Sequence, residues 1–188
     1  MLTKAPIWKL LAMFSAAIML AAAPVFADET EITVGVYHFP PIASVDANGK
    51  PSGLLGDLLQ ELEQANPAVS FRVFHTSPKR RYLDFEAGLY DVIFFESPGW
   101  GWTKRNVDIS RPILADEELY VALKKPGRDD SFFDDLEQRS IVAISGYHYG
   151  FTGYETDNSV LEQKFNIEFS DSHSRNIKLI KADRPSVA

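Results

Sequence analysis

The alternation of apolar and polar positions from Glu31 through Ile32, Thr33, Val34, Gly35 and Val36 to Tyr37, rich in β-branched residues, predicts a strand that Pro40 and Pro41 stop. Turn chemistry follows at Asp46-Ala47-Asn48-Gly49. Gly53 then opens a helix in which Leu54, Leu55, Leu58, Leu59 and Leu62 recur at helical spacing as one apolar stripe, until Asn66-Pro67 ends it. Val69 to His75 reads as the next strand. Pro78 starts a helix that runs through Ala87 and closes at Gly88, and the continuous apolar run Asp91-Val92-Ile93-Phe94-Phe95 reads as a strand buried on both faces.

Strand, helix, strand, helix, strand in this order predicts a parallel α/β layer. Ligands of such sheets sit beyond the carboxyl ends of the strands. Those ends carry Tyr37 to Pro41, His75 to Lys79, and Glu96 to Arg105. Further along, Glu117 to Lys124 alternates as another strand and Lys125-Pro126-Gly127 reads as its exit into a second lobe. That lobe is expected to hold a short helix over Phe132 to Gln138, a strand over Ile141 to Ile144, and a glycine-flanked turn from Ser145 to Gly150 that leads into a helix. A strand over Asn166 to Phe169 and a helix from about Ser174 to Lys181 complete it, and Val187-Ala188 reads as the start of one more strand.

Composition narrows the setting. Residues 1–27 have Lys4 and Lys9 at the start, an apolar run, and small residues at Val25-Phe26-Ala27, which together predict a cleaved secretory signal and a mature chain from Asp28. The apolar run from Leu10 to Ala23 is 14 residues, against the roughly 20 that a membrane-spanning helix needs. The remaining 161 residues carry 17 basic and 26 acidic side chains, a net charge of −9, which excludes a nucleic-acid binder that needs a basic face. With no cysteine, there is neither a disulfide nor a thiol for a lipid anchor. A soluble, monomeric periplasmic protein is the expectation.

The four histidines, His38, His75, His148 and His173, have no metal-ligand spacing. No phosphate-binding loop and no nucleophile elbow occurs. Neither a metal nor a cofactor is expected.

Several motifs in order resemble the bacterial extracellular solute-binding proteins of family 3, the polar amino-acid-binding proteins of ABC transporters. They are Tyr37-His38-Phe39-Pro40-Pro41-Ile42, Gly53-Leu54-Leu55-Gly56-Asp57, the stretch from Arg80 to Val92, Val107 to Pro112, and Ile141 to Gly150. The resemblance spans Asp28 to Ala188. It implies the periplasmic-binding-protein-like type II fold, with two α/β lobes joined by hinge strands, here 28–124 and 125–188. Family members run several dozen residues longer, so the second lobe is expected to be incomplete. The family's carboxylate-binding arginine stands five positions before the aspartate of an Asp-Phe-Ser segment, whereas Arg105 stands three before Asp108.

The implied function is capture of a small polar ligand, an amino acid or related carboxylate, for an inner-membrane ABC permease. No catalysis is expected. Relatives that act as dehydratases, or as ligand-sensing modules, mark the alternatives, with Glu96 and His148 as the candidates for acid–base work.

A bound amino acid needs a cation or free N–H groups for its carboxylate, an anion for its amine, and an apolar wall. Arg105 is either a bidentate fork on a carboxylate or a solvated loop residue, with Lys104 and Arg80 as substitutes. Gly146, Tyr147 and Tyr149 lie in a turn that either presents N–H groups at a helix start or is ordinary punctuation. Tyr37, Phe39, Trp100 and Trp102 either line the ligand or cap the core. Glu96 either meets an amine or is a carboxylate satisfied by loop amides.

Overall fold

A computed structural model describes residues 29–188, so the predicted signal sequence and the start at Asp28 lie outside the described residues. Two α/β layers follow one another along the chain. In the first, strand β1 (Thr30–Val36) is central and pairs in parallel with β4 (Val69–His75) along its whole length, from Thr30 opposite Val69 to Val36 opposite His75. On its other side β1 pairs with β5 (Val92–Ile93), giving the order β4-β1-β5. The five-residue strand expected at 91–95 is shorter because Phe95 takes a positive φ of 60°. That conformation breaks the extended backbone and turns the chain at Glu96.

The Asp46 turn closes a small antiparallel hairpin between β2 (Ser44–Val45) and β3 (Pro51–Ser52), the Asp46 carboxylate accepting from the N–H groups of Asn48 and Lys50. Helix α1 (Leu54–Ala65) covers the sheet through Leu55 and Leu59. The expected stripe is narrower than its sequence pattern, because Leu54 and Leu62 remain 41% and 38% exposed. Helix α2 (Arg81–Glu86) is shorter than the Pro78-to-Ala87 reading. Gly35, on β1, allows the Tyr90 ring to lie against the backbone: a Cβ there would sit 2.8 Å from three ring atoms.

The second layer repeats this plan. Strand β6 (Ser140–Ile144) pairs in parallel with β7 (Asn166–Ser170), and α3 (Asn158–Lys164) connects them. Asp157 caps α3 by accepting from Ser159 N–H at 2.8 Å. Ile141, Ala143, Leu161, Phe165 and Ile167 form the core. After α4 (His173–Lys181), capped by Ser172, the chain returns to the free side of β6, where Ile141 bridges the buried Val187 in parallel. The order β7, β6, Val187 thus reproduces β4, β1, β5. The strand start read at Val187-Ala188 is present as this bridge.

Three further sequence expectations need correction. Glu117 to Lys124 forms no strand: Val121 alone in it exchanges backbone–backbone hydrogen bonds, with Ala188 at 2.8 and 2.9 Å. Alternation favours an extended backbone, but a strand also requires a neighbouring ladder. The hinge therefore has no strand in this stretch. Phe132 to Gln138 forms two 3₁₀ turns, Asp130–Phe133 and Leu136–Gln138, with the Arg128 and Arg139 guanidiniums 3.8 and 4.3 Å from the Phe132 ring centre. Finally, Ser145 to Gly150 leads into a 3₁₀ turn (Gly150–Thr152), and the α-helix begins only at Asn158. No α-helix dipole is therefore aimed at that turn.

Candidate ligand cleft between the two lobes

The carboxyl ends of β1 and β5 carry Tyr37 and Glu96 into the gap between the layers. Glu96 is almost completely buried and accepts three hydrogen bonds from different segments. These come from Tyr37 Oη at 2.7 Å, Trp102 Nε1 at 2.6 Å and Arg81 Nε at 2.9 Å. A buried carboxylate without such partners would be costly. Burial, reinforced by the Glu96 charge, pushes the Tyr37 hydroxyl far above its ordinary pKa, so it is a hydrogen-bond donor at every physiological pH.

Arg81, the first residue of α2, is 1% exposed. Besides Glu96, its guanidinium reaches the Pro78 carbonyl, Tyr82 Oη at 2.8 Å and His148 Nδ1 at 3.2 Å. The Tyr37 and Tyr82 ring centres lie 5.2 and 4.5 Å from its central carbon. His148 belongs to the second lobe and is stacked on Trp100 of the first, with centroids 5.5 Å apart and planes 11° from parallel. Burial, and then the nearby Arg81 charge, lower its pKa to about 4 against a weaker opposing effect of Glu155. His148 is therefore neutral at pH 7, and Nδ1 accepts from Arg81, which has no other role to offer than donor.

Other contacts join the lobes. Tyr147 Oη donates to the His38 carbonyl at 3.2 Å, and its ring meets Phe39 edge-on at 5.7 Å. Gly146 has φ of 81°, and a Cβ there would stand 2.7 Å from Lys79 Cγ and 3.2 Å from Pro78 Cβ. Beside these contacts lies a cavity of about 420 Å³ lined by both lobes, with Lys79 and Tyr82 on one side and Gly146, Glu155, Asp157 and Asn158 on the other.

The residues singled out from sequence divide into two groups. Tyr37, Phe39, Glu96, Trp100 and Trp102 come together in the first lobe's wall; Tyr147 faces Tyr37 and Phe39, while Gly146 packs against Pro78 and Lys79. Tyr149 turns the other way: its hydroxyl accepts from Ile144 N–H at 2.8 Å within the second lobe, and burial pushes its pKa up to about 12. Arg105 sits against Trp102 and Tyr82 of this wall with its donors engaged within the first lobe. It donates to Glu86 Oε1 and the Gly101 carbonyl, each at 2.8 Å, and stacks on Tyr82 at 4.1 Å. Arg80, its possible substitute, pairs with Asp84 at 3.2 Å and has a largely exposed side chain. The Gly150 N–H, a candidate anion donor, is taken by the chain's own Glu118 carboxylate at 2.6 Å. Sequence reasoning placed Lys79 in the loop at a strand end without singling it out and missed Arg81 and Tyr82, whose one signal is their place in the first turn after that loop.

No protein-family model and no curated protein matches the sequence. Solved structures do match. An ancestral arginine-binding protein bound to arginine aligns with 84% of this chain and 68% of its own, at 19% identity and TM-score 0.60. An ancestral amino-acid-binding protein, described as a precursor of cyclohexadienyl dehydratase, aligns over the same shares at 17% identity and TM-score 0.62. The arginine-binding protein of T. maritima aligns with 84% of this chain and 67% of its own, at 19% identity and TM-score 0.56. With its two α/β layers meeting across a cleft, the chain has the periplasmic-binding-protein-like type II fold.

Proposed function

We propose that this protein is a periplasmic solute-binding protein that holds a small polar ligand, an amino acid or related carboxylate, between its lobes and delivers it to an inner-membrane ABC permease. The observation that carries the reading is the cavity of about 420 Å³ whose walls come from both lobes, since a ligand touching both favours their closed arrangement. Lys79, Asp157 and Glu155 line the same space; the hydrogen bonds from Ser159 and Val160 hold the Asp157 carboxyl below its usual range, with a smaller contribution from the Lys79 charge. A cation and carboxylates around one cavity suit a ligand that carries both signs of charge. Tyr82 is the aromatic ring on this cavity, while Tyr37, Phe39, Trp100, Trp102 and Tyr147 make the neighbouring contacts between and beneath the lobes rather than its lining. The signal sequence would supply export.

Catalysis is not part of the proposal. Glu96 already accepts three hydrogen bonds and His148 has Nδ1 engaged by Arg81.

A thermal-shift screen of the purified protein against polar amino acids and small carboxylic acids tests the reading. Ligand at 100 times its Kd adds about 2.7 kcal/mol of stability, so one ligand class should raise the melting temperature and Lys79→Ala should reduce the rise. Cooperative unfolding at one unchanged temperature throughout the screen would overturn it.

A further inference from the structure

We infer that the Arg81 side chain is an internal ligand of the cleft, a latch that draws the second lobe onto the first through His148 before any solute is bound. The inference rests on contacts among the chain's own residues and does not require the transport reading.

Arg81 is held as a bound guanidinium compound would be. Its Nε donates to Glu96, and its remaining nitrogens reach Pro78, Tyr82 and His148. Tyr37 and Tyr82 supply rings beside it. A planar fork with five donors matches such a set of acceptors, and an ammonium does not. Every partner but one belongs to the first lobe. The exception, His148, is gripped further: its Nε2 is 3.4 Å from Tyr82 Oη, and its ring is stacked on Trp100. With Nδ1 accepting, Nε2 carries the proton and donates to Tyr82 Oη, which in turn donates to the Trp100 carbonyl at 2.5 Å. The chain of donors from Arg81 to Trp100 is consistent in every step and crosses the cleft twice. Arg81 itself stays in place by its ion pair with Glu96, so opening the cleft leaves that pair intact and breaks the bonds and stacking of His148 together with the Tyr147 contacts to His38 and Phe39.

The absence of native cysteine allows a direct test. Spin labels at Glu61→Cys on α1 and Glu162→Cys on α3, both exposed, report the distance between lobes in the full mature protein, refolded from denaturant to remove any retained small molecule. The unmodified cleft should give one short, narrow distribution in plain buffer. His148→Ala, which leaves the Arg81–Glu96 pair intact, should move it to longer distances. Arg81→Ala should do the same, and a few millimolar guanidinium, far below denaturing concentrations, should restore the short distance while methylammonium does not.

A long, broad distribution in the unsubstituted cleft would overturn the latch, and so would an unchanged distribution in His148→Ala. A folded Arg81→Ala that ignores guanidinium would also overturn it. If Arg81→Ala does not fold, the His148→Ala comparison decides alone. Adding amino acids to the same samples separates the two ideas: a short distance in buffer with no ligand-induced change in melting temperature keeps the latch and removes the binding function.

Discussion

Tyr37 at the end of β1 donates its hydroxyl to Glu96, just beyond β5, at 2.7 Å, tying two neighbouring strand ends through one buried carboxylate. Because Glu96 is also the partner of buried Arg81, its loss is felt as an unpaired charge. Glu96→Gln should destabilise the fold by about 3–5 kcal/mol, the usual effect of breaking a buried ion pair. Tyr37→Phe removes one hydrogen bond to a charged group and should lower stability by about 1.5–3 kcal/mol. Urea unfolding of the two variants checks the order; equal, small effects would mean that the carboxylate is solvated.

The imidazole of His148 should titrate at about 4 in the folded protein, against an ordinary value of 6.5. The groups that face it are Arg81, Tyr82, Trp100 and Glu155. Since the folded value is the lower one, the unfolded chain binds more protons in this window, and stability falls as pH is lowered from about 6.5 towards 4. NMR titration of the ring measures the midpoint directly, and the same pH dependence of unfolding should be weaker in His148→Ala. A midpoint near 6.5 would show that Arg81 and burial do not act on the ring.

Gly146→Ala should weaken the approach of the lobes without unfolding either core. The substitution places a Cβ 2.7 Å from Lys79 Cγ at φ of 81°, and the backbone conformation alone is worth about 1–3 kcal/mol. The expected result is a longer distance between lobes and, where a ligand is found, weaker binding with unchanged unfolding of the first lobe. Preserved affinity would place the closing contact elsewhere.

Gly35→Ala should act in the opposite way, on the first lobe itself. Its Cβ would meet the Tyr90 ring, whose hydroxyl donates to the Arg81 carbonyl at 2.5 Å. Overpacking of this kind costs about 1–3 kcal/mol, and displacing Tyr90 removes support from under Arg81. Denaturant unfolding together with Trp102 fluorescence, which reports its contact with Glu96, checks both effects.

Much of the fold was readable because it rests on local periodicity: β1, β4 and α1 fall close to their apolar patterns. The segment from 117 to 124 was not, since a strand depends on a neighbour that alternation cannot supply. The cleft was readable where a residue's role follows from its place at a strand end, as for Tyr37 and Glu96. It was not readable at Arg80 and Arg81. Consecutive helical residues point about 100° apart, so two adjacent arginines with the same sequence signal end in solvent and in the cleft. Tyr147 and Tyr149 divide likewise, one across the lobes and one into its own core.

The connecting segment is fastened at both ends. Arg105 is tied to Glu86 and Gly101 of the first lobe, while Glu118 and Val121 are tied to Gly150 and Ala188 of the second. Between them, the hydrogen bonds of residues 106–117 among the described residues are made only to their immediate neighbours. A change in the angle between the lobes would fall on these 12 residues, upstream of the boundary expected at Lys124. A crosslink or a proline in that span should therefore alter the distance between the lobes, whereas a substitution at Val121, paired with Ala188, should act on the second lobe.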